Sequence, residues 1–339
     1  MSKVLVTGGC GYIGSHTIVD LIDNGFEVIS VDNLSNSSAD VLDGIEAITG
    51  KRVKNYNIDL CWEEAVQQVF EENPDIGGII HFAALKAVGE SVLQPISYFR
   101  NNLNSLLNIL DCMDRYGAPH LIFSSSCSVY GNATELPVTE KTPLQEAESP
   151  YARTKQMGEQ IIRDFSRIHP KHASILLRYF NPAGAHESAL IGEAPYNPAS
   201  NLVPVITETA IGKRPEMTVF GDDYDTRDGS CVRDYIHVMD LANAHTKALQ
   251  YLQAGKNTDN LEVFNLGIGE GVTVLEAIQS FMKVTGQPLQ YRIGERRPGD
   301  VVAIYANKDK AAERLGWDPQ RDINDIMRTA WAWEQKRSR

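Results

Sequence analysis

Cysteine is scarce and shows no pairing pattern. The five cysteines, Cys10, Cys61, Cys112, Cys127 and Cys231, are odd in number and scattered, with no CxxC pair. They suggest neither a disulfide framework nor a zinc site, so no metal is expected and a reducing cytoplasm fits best. No apolar run approaches the roughly 20 residues needed to span a bilayer. A basic block is also missing: 32 lysines and arginines face 44 aspartates and glutamates, for a formal charge of −12. This argues against a nucleic-acid partner and leaves any anionic ligand to a few local cations. The chain opens on a core strand, so no signal peptide is expected. Its 339 residues are enough for one extended domain or two lobes sharing a cleft.

What is present begins at the amino end. Lys3 to Thr7 reads as a short buried strand running into Gly8-Gly9-Cys10-Gly11-Tyr12-Ile13-Gly14. An amphipathic helix follows, with Ile18, Leu21 and Ile22 on its apolar face, and ends near Asn24-Gly25. Phe26 to Val31 is a second apolar strand that stops at Asp32. Glycines let the backbone turn tightly and approach a pyrophosphate, whose charge then rests on helix N-terminal amides. Asp32, about twenty residues beyond the loop, is placed to accept hydrogen bonds from an adenosine ribose. Its carboxylate repels a 2′-phosphate, so NAD is expected rather than NADP. A glycine fingerprint alone is weak; in this strand, helix and acid context it is strong.

The first half continues as alternating strands and helices, the pattern of an α/β, Rossmann-like, doubly wound parallel sheet. Val53 to Asp59 reads as a strand that ends within reach of an adenine amino group. Gly78 to Ala84 is a strand terminating in small residues, which either lie against a cofactor or pack against a helix. Phe99 to Tyr116 is a long helix with Leu103, Leu106, Leu107 and Leu110 on one stripe, either a dimer seam or an ordinary core face. Its Asn101, Asn102 and Asn104 are suited to bonding the loops around the cofactor.

Leu121 to Phe123 then delivers Ser124, Ser125 and Ser126 to the carboxyl end of the sheet, where ligands bind in open α/β folds. Serines there also serve as N-caps and turn formers. Downstream stands Tyr151-Ala152-Arg153-Thr154-Lys155, whose first and last members share a helix face. A free tyrosine titrates near pH ~10, so a neutral-pH base needs a lowering of about three units, or ~4 kcal/mol. A cation at about 4 Å contributes a similar amount at an effective dielectric of ~20. Ser126 is expected to bond both the reacting oxygen and the Tyr151 phenol, completing a Ser-Tyr-Lys constellation.

The Gly8-to-Gly14 loop, Asp32, the Ser126 strand and the Tyr151/Lys155 pair resemble the extended short-chain dehydrogenase/reductase superfamily. Within it, the chain is similar over essentially its whole length to the UDP-glucose 4-epimerase family. The likeness runs through Lys86 to Ser91, Arg178-Tyr179-Phe180-Asn181-Pro182, Thr226 to Gly229, Val232 to Val238, Asn265-Leu266-Gly267 and Arg296-Arg297-Pro298-Gly299-Asp300. The resemblance implies that NAD is held by Gly8, Gly11, Tyr12, Ile13, Gly14, Asp32, Asn33, Asp59, Leu60, Phe82, Ala83, Lys86, Asn101, Ser124, Tyr151, Lys155 and Tyr179. It implies a UDP-sugar substrate bound by Lys86, Ser126, Tyr151, Phe180, Asn181, Asn201, Leu202, Phe220, Arg233, Arg297, Asp300 and Ile304. Arg233 and Arg297 then grip the diphosphate, as arginine forks do, and Asp300 bonds the uridine ribose. Phe220 packs beside the uracil or fills the lobe's core.

The reaction so implied interconverts UDP-galactose and UDP-glucose. Tyr151 removes the C4 hydroxyl proton, hydride leaves C4 and returns to the other face, and the 4-keto sugar turns over in between. Lys155 binds the nicotinamide ribose and, with the cationic ring, keeps the Tyr151 pKa low. Residues 1–180 are expected to form the NAD domain. Residues 181–339 are expected to form mainly a smaller mixed α/β substrate lobe, with some segments returning to the first domain. A homodimer through the helices beginning near Phe99 and Tyr151 is implied as well. A nucleotide-sugar 4,6-dehydratase shares the fold, but where that family has an Asp-Glu pair this chain has Cys127 and Ser128. Epimerases of UDP-glucuronate or acetylated sugars, and a non-catalytic NAD sensor, are further readings. Ile304 stands where the family closes the sugar pocket; its intermediate bulk favours UDP-glucose and leaves UDP-N-acetylhexosamines open.

Overall fold

Short apolar runs with no polar alternation form strands buried on both faces, the signature of a parallel sheet covered by helices. In the computed structural model, which describes residues 3–196, 198–297 and 300–338, these runs become β1 (Lys3–Thr7), β2 (Glu27–Val31), β4 (Ile76–His81), β5 (His120–Ser124) and β6 (Ala173–Tyr179), and a short polar edge strand, β3 (Lys54–Tyr56), follows β2. The intervening helices are α1 (Tyr12–Asp23), α2 (Asp40–Thr49), α3 (Glu63–Glu72), α4 (Val88–Leu93), α5 (Pro95–Tyr116) and α6 (Pro150–Ile168). The second half adds β7 (Asn181–Ala183), α7 (Leu202–Ala210), β8 (Met217–Phe220), β9 (Val232–Arg233), β10 (Tyr235–His237), α8 (Val238–Gln253) and β11 (Leu261–Leu266). It closes with β12 (Val272–Thr273), α9 (Val274–Thr285), β13 (Tyr291–Gly294), β14 (Ala303–Ile304), α10 (Asp309–Leu315) and α11 (Ile323–Arg337).

The main sheet has seven strands in the order β11-β6-β5-β4-β1-β2-β3, all parallel. One face is covered by α1, α2, α8 and α10, with Ile18, Leu21, Leu241, Leu249 and Trp317 in its core. The other is covered by α3, α5 and α6, with Phe70, Leu106, Ile109, Met113 and Ile162 in its core. A third apolar cluster joins α7, β8, α9 and α11 through Ile206, Val219, Phe281 and Met327. Three small sheets, β10-β7, β12-β9-β14 and β13-β8, frame this part. The fold is therefore the doubly wound α/β sheet that the strand spacing implies, with a smaller mixed α/β region. Among the described residues, no helix is long and apolar enough to cross a membrane.

Some boundaries differ from the sequence expectation. β3 ends at Tyr56, because its one partner, β2, runs out at Val31, so Asp59 sits in a turn. β4 stops at His81, where β1 also stops and its pairing with β5 ends, and Phe82 to Ala84 lie beyond the sheet. α5 starts earlier than Phe99, on Pro95 at its first turn, a position where proline's missing N–H costs nothing. Of its leucines, Leu106 and Leu110 are core residues, whereas Leu107 is 46% exposed. Leu106 and Leu110 thus resolve as an ordinary core face.

Candidate active site

The glycine loop is shaped by steric demand. Gly8 has φ +68°, and a Cβ there would stand 2.9 Å from the Ala83 amide nitrogen; one on Gly14 would overlap the Gly8 carbonyl oxygen. α1 begins at Tyr12 with Gly11 as N-cap, without a side-chain cap and without an acidic residue in its first turn. Its leading amides are thus available to an anion. Asp32, at the end of β2, accepts from Cys10 N at 3.0 Å, Leu34 N at 2.9 Å and Ser37 Oγ at 2.8 Å, which fixes the carboxylate beside the loop. The small loop, the uncapped helix start and the anchored carboxylate together fit a dinucleotide. Ile13 is half-buried against the α1 side of the core. The Tyr12 ring points elsewhere, its hydroxyl donating to Gly184 O at 2.6 Å.

Of the other residues expected to hold the cofactor, Phe82 and Ala83 follow directly on the carboxyl end of β4, and Ser124 ends β5. Phe82 packs on His245 with ring centres 4.6 Å apart, and Ala83 N donates to Thr7 Oγ1 at 3.3 Å. Asn33 is exposed and accepts from Ser35 N at 3.1 Å. Asp59 accepts from Cys61 N at 2.8 Å, and Leu60 O accepts from Asn108 Nδ2 at 2.8 Å. Asn101 donates to Asn102 Oδ1 at 3.0 Å. Asn102 is the buried partner: it accepts from Leu85 N at 2.8 Å, donates to Leu85 O at 3.0 Å and donates to Thr154 Oγ1 at 3.0 Å. The loop after β4 is thereby pinned to α6.

Ser149 caps α6 through the Ala152 amide, and Pro150 fills its first position, so Tyr151 enters at a defined angle. Lys155, one turn on, is buried and donates to Ser124 O at 2.6 Å, with its ammonium 5.9 Å from the centre of the Tyr151 ring. Burial brings the Lys155 pKa down to about 8, while Glu159 pulls the other way. Ser126 accepts from Ser128 N at 3.2 Å, capping a short 3-10 turn at Cys127–Tyr130, and its hydroxyl stands close enough to Tyr151 to favour the phenolate. Ser124 Oγ bonds the Tyr179 hydroxyl. The turn-capping use of the serines is thus present, with the Ser126 hydroxyl near the Tyr151 phenol.

The expected lowering of the Tyr151 pKa is absent in the protein chain alone. Burial is the largest influence and pushes it up, Tyr179 adds to this, and the Ser126 hydroxyl opposes it. The reason is desolvation, which disfavours a phenolate in a site this enclosed.

The diphosphate candidates form a compact group. Arg233 donates through Nη1 to Val232 O at 2.9 Å and Val301 O at 2.8 Å, while its Nη2 is 3.4 Å from Asp300 Oδ1. Arg297 forks onto the same carboxylate at 2.8 and 3.1 Å. Its guanidinium also lies 5.5 Å from the centre of the Phe220 ring. Phe220 is 42% exposed, so it does not fill the lobe's core. Pro298 and Gly299 of this motif lie outside the described residues. Arg233 also opposes the burial that pushes the Cys127 thiol up to about 12, placing this group near the Ser126 turn.

Lys86 and Asn201, from different halves of the chain, meet on Glu193, at 3.6 Å and 3.0 Å. Asn181 N donates to Asp234 O at 2.9 Å. Phe180 and Ile304 are buried together with Val129, Tyr130 and Val138, so the Phe180 ring is a wall of the core and not an open contact. Leu202 opens α7 and packs on the third cluster. Sequence reasoning missed Glu193 and the buried network behind Lys155. In that network Arg178 forks onto Glu159 at 2.8 and 2.6 Å, Ser125 donates to Glu159 at 2.5 Å, and Tyr130 accepts from Arg178 at 3.1 Å. Glu159 was detectable in principle, since Tyr151, Lys155 and Glu159 recur every four residues on one helix face.

A family model described as GDP-mannose 4,6 dehydratase matches residues 5–330. UDP-glucose 4-epimerase of Bacillus subtilis (strain 168) is 47% identical over 331 residues, 98% of this chain and 96% of that protein. The chain belongs to the UDP-glucose 4-epimerase family. Among solved structures of the family, that of the Bifidobacterium longum enzyme in complex with NAD+ and UDP is similar with a TM-score of 0.94 and 46% identity, covering 99% of each chain. The Stenotrophomonas maltophila enzyme with bound NAD and formylated UDP-arabinopyranose gives a TM-score of 0.96 at 43% identity, covering 100% of this chain and 99% of that one.

Proposed function

We propose that this chain is an NAD-dependent 4-epimerase that interconverts UDP-glucose and UDP-galactose. The carrying observation is that Ser126, Tyr151 and Lys155 converge at the carboxyl end of the sheet whose glycine loop and Asp32 fit a dinucleotide. The family relatives named UDP-glucose 4-epimerase, and their structures with NAD and UDP ligands, support the same reading. Bound in this cradle, NAD supplies a hydride acceptor that returns what it takes and a positive ring charge that favours the Tyr151 phenolate.

Tyr151 takes the proton from the C4 hydroxyl and gives it back after the sugar has turned, with Ser126 holding the same oxygen. Lys155, kept in place by the Ser124 carbonyl, bonds the nicotinamide ribose. Arg233 and Arg297 hold the diphosphate, exchanging their bonds to Asp300 for phosphate oxygens and freeing that carboxylate for the uridine ribose. Strong hold on UDP with weak hold on the hexose lets both faces of C4 be presented. The dehydratase chemistry in the family model's description lacks its carboxylates here. The two residues after Ser126 are Cys127, whose thiol stays protonated near neutral pH, and Ser128.

We further propose that residues 1–180 bind NAD and that residues 181–339 mainly bind the UDP-sugar. The outward apolar side chains Leu107 on α5 and Met157 on α6 support a homodimer through those helices. Five free cysteines support a cytoplasmic location.

An NMR time course with UDP-galactose and no added NAD tests the reading. UDP-glucose should appear and settle at one ratio from either starting sugar. No product, even with NAD supplied, would overturn it. A broader range including UDP-N-acetylhexosamines rests on Ile304, which is 7% exposed and packs in the cluster with Phe180. Ile304→Gly is expected to admit UDP-N-acetylglucosamine at a stability cost of about 2–5 kcal/mol. Turnover assays on both sugars check this; no gain on the acetylated one rules out Ile304 as the gate.

A further inference from the structure

A second cluster of chemistry lies at the opposite end of α6 from Tyr151. Asp114 stands in the last turns of α5, His169 caps the carboxyl end of α6, and His172 lies in the turn leading to β6. His169 Nδ1 is 2.9 Å and His172 Nε2 is 3.4 Å from the same oxygen, Asp114 Oδ1. The candidate ligand atoms of the three residues all lie within 4.8 Å of one another. We propose that Asp114, His169 and His172 form a binding site for a divalent transition metal ion of the zinc class.

The hydrogen bonding of His172 carries the argument. Its ring is buried, and its Nδ1 lies 2.9 Å from Ala118 O. A carbonyl oxygen only accepts, so Nδ1 bears the proton and a neutral ring turns the Nε2 lone pair toward a carboxylate. Two acceptors facing each other need a cation between them or a second proton on the ring. An Nδ1–H held by a backbone carbonyl is also how proteins orient zinc-ligating histidines. Atoms at about 2.0–2.1 Å from a tetrahedral zinc stand about 3.4 Å from one another. That is the separation of His172 Nε2 and Asp114 Oδ1, whereas His169 Nδ1, at 2.9 Å from that oxygen, has to move outward by about 0.5 Å to take its place around the ion. Phe165 stacks on the His169 ring with centres 4.3 Å apart, which limits its motion. The negative ends of two helix dipoles converge on the cluster. Asp114 is exposed, leaving a fourth position to water.

Two imidazoles and one carboxylate suit zinc, cobalt or nickel better than magnesium or calcium. The expectation of no metal rested on cysteine spacing, whereas these residues meet only because α5 packs on α6. Along α6, at 1.5 Å per residue, the cluster is about 27 Å from Tyr151. The ion would therefore clasp two helix ends and take no part in epimerisation.

Calorimetric titration of zinc into the chelator-treated full chain, without an affinity tag, tests the site. One zinc per chain and a higher Tm with zinc are expected, and cobalt should give the visible absorption of a tetrahedral centre. Asp114→Asn and His169→Gln change partly exposed side chains and should each weaken zinc binding by more than about tenfold, with turnover unchanged. Zinc binding undiminished in both variants, or no binding to the parent chain, overturns the proposal and leaves the histidines as hydrogen-bond partners of Asp114.

Discussion

Replacing Tyr151 with Phe is expected to lower kcat about 10²–10⁴-fold, the usual contribution of a positioned acid/base group, while UDP binding is kept. Phenylalanine retains the ring where α6 begins, so the loss isolates the hydroxyl. The protein chain alone pushes the Tyr151 pKa up through burial. Phenolate formation therefore depends on positive charge brought to the site, aided by the nearby Ser126 hydroxyl. In the parent, kcat should rise with pH until the phenolate is fully formed, and this limb should vanish in Tyr151→Phe. Steady-state rates over a pH series and UDP titration read both effects. A variant that turns over at the parent's rate would sink the base assignment.

Glu159→Gln is expected to destabilise the fold by about 3–5 kcal/mol, the cost of leaving a buried charge without its partner. The Arg178 and Glu159 side chains are 4% and 3% exposed and lie 2.6 Å apart. Burial alone would lower the Arg178 pKa, yet the bonds to Glu159 outweigh it and raise it. Without Glu159 that support is gone, but a guanidinium is basic enough to stay charged even when buried, so it must be buried unpaired. Removing both charges together, as Glu159→Leu with Arg178→Met, should recover most of the loss, because well-packed apolar pairs often replace buried ion pairs at little cost. Urea unfolding of the three proteins decides it. If the double variant is as unstable as the single one, loss of the Ser125-to-Glu159 and Arg178-to-Tyr130 hydrogen bonds, and not the unpaired charge, accounts for the effect.

The parts of the site carried by local pattern were legible in the chain. The Gly8 loop, Asp32 and the Tyr151/Lys155 spacing each depend on residues within a few turns of one another, where strand and helix periodicity give their placement. The Arg178–Glu159 pair was not legible, because it joins β6 to α6 across the sheet face and only packing brings the two together. The Lys155 contact with Ser124 O and the direction of the Tyr151 shift were also out of reach. Spacing gives a shared face, but desolvation depends on everything stacked around it. For the same reason Phe220 and the Leu106/Leu110 pair stayed ambiguous until burial was known. The sharing of Asp300 by Arg233 and Arg297, and of Glu193 by Lys86 and Asn201, links segments with no sequence relation.

The outermost strand of the main sheet, β11, is encoded far downstream of its neighbour β6. During synthesis the hydrogen-bonding edge of β6 therefore stays unsatisfied until Leu266 has left the ribosome. At about 5–20 residues per second this interval is on the order of ten seconds. A bare strand edge of that lifetime invites pairing with other nascent chains. Release of the chain cut short after Tyr179 would leave the edge open for good, together with the α1 surface that α8 covers. Completion of the main sheet is thus timed by translation of the second half, and chains truncated before β11 carry an open edge prone to aggregation.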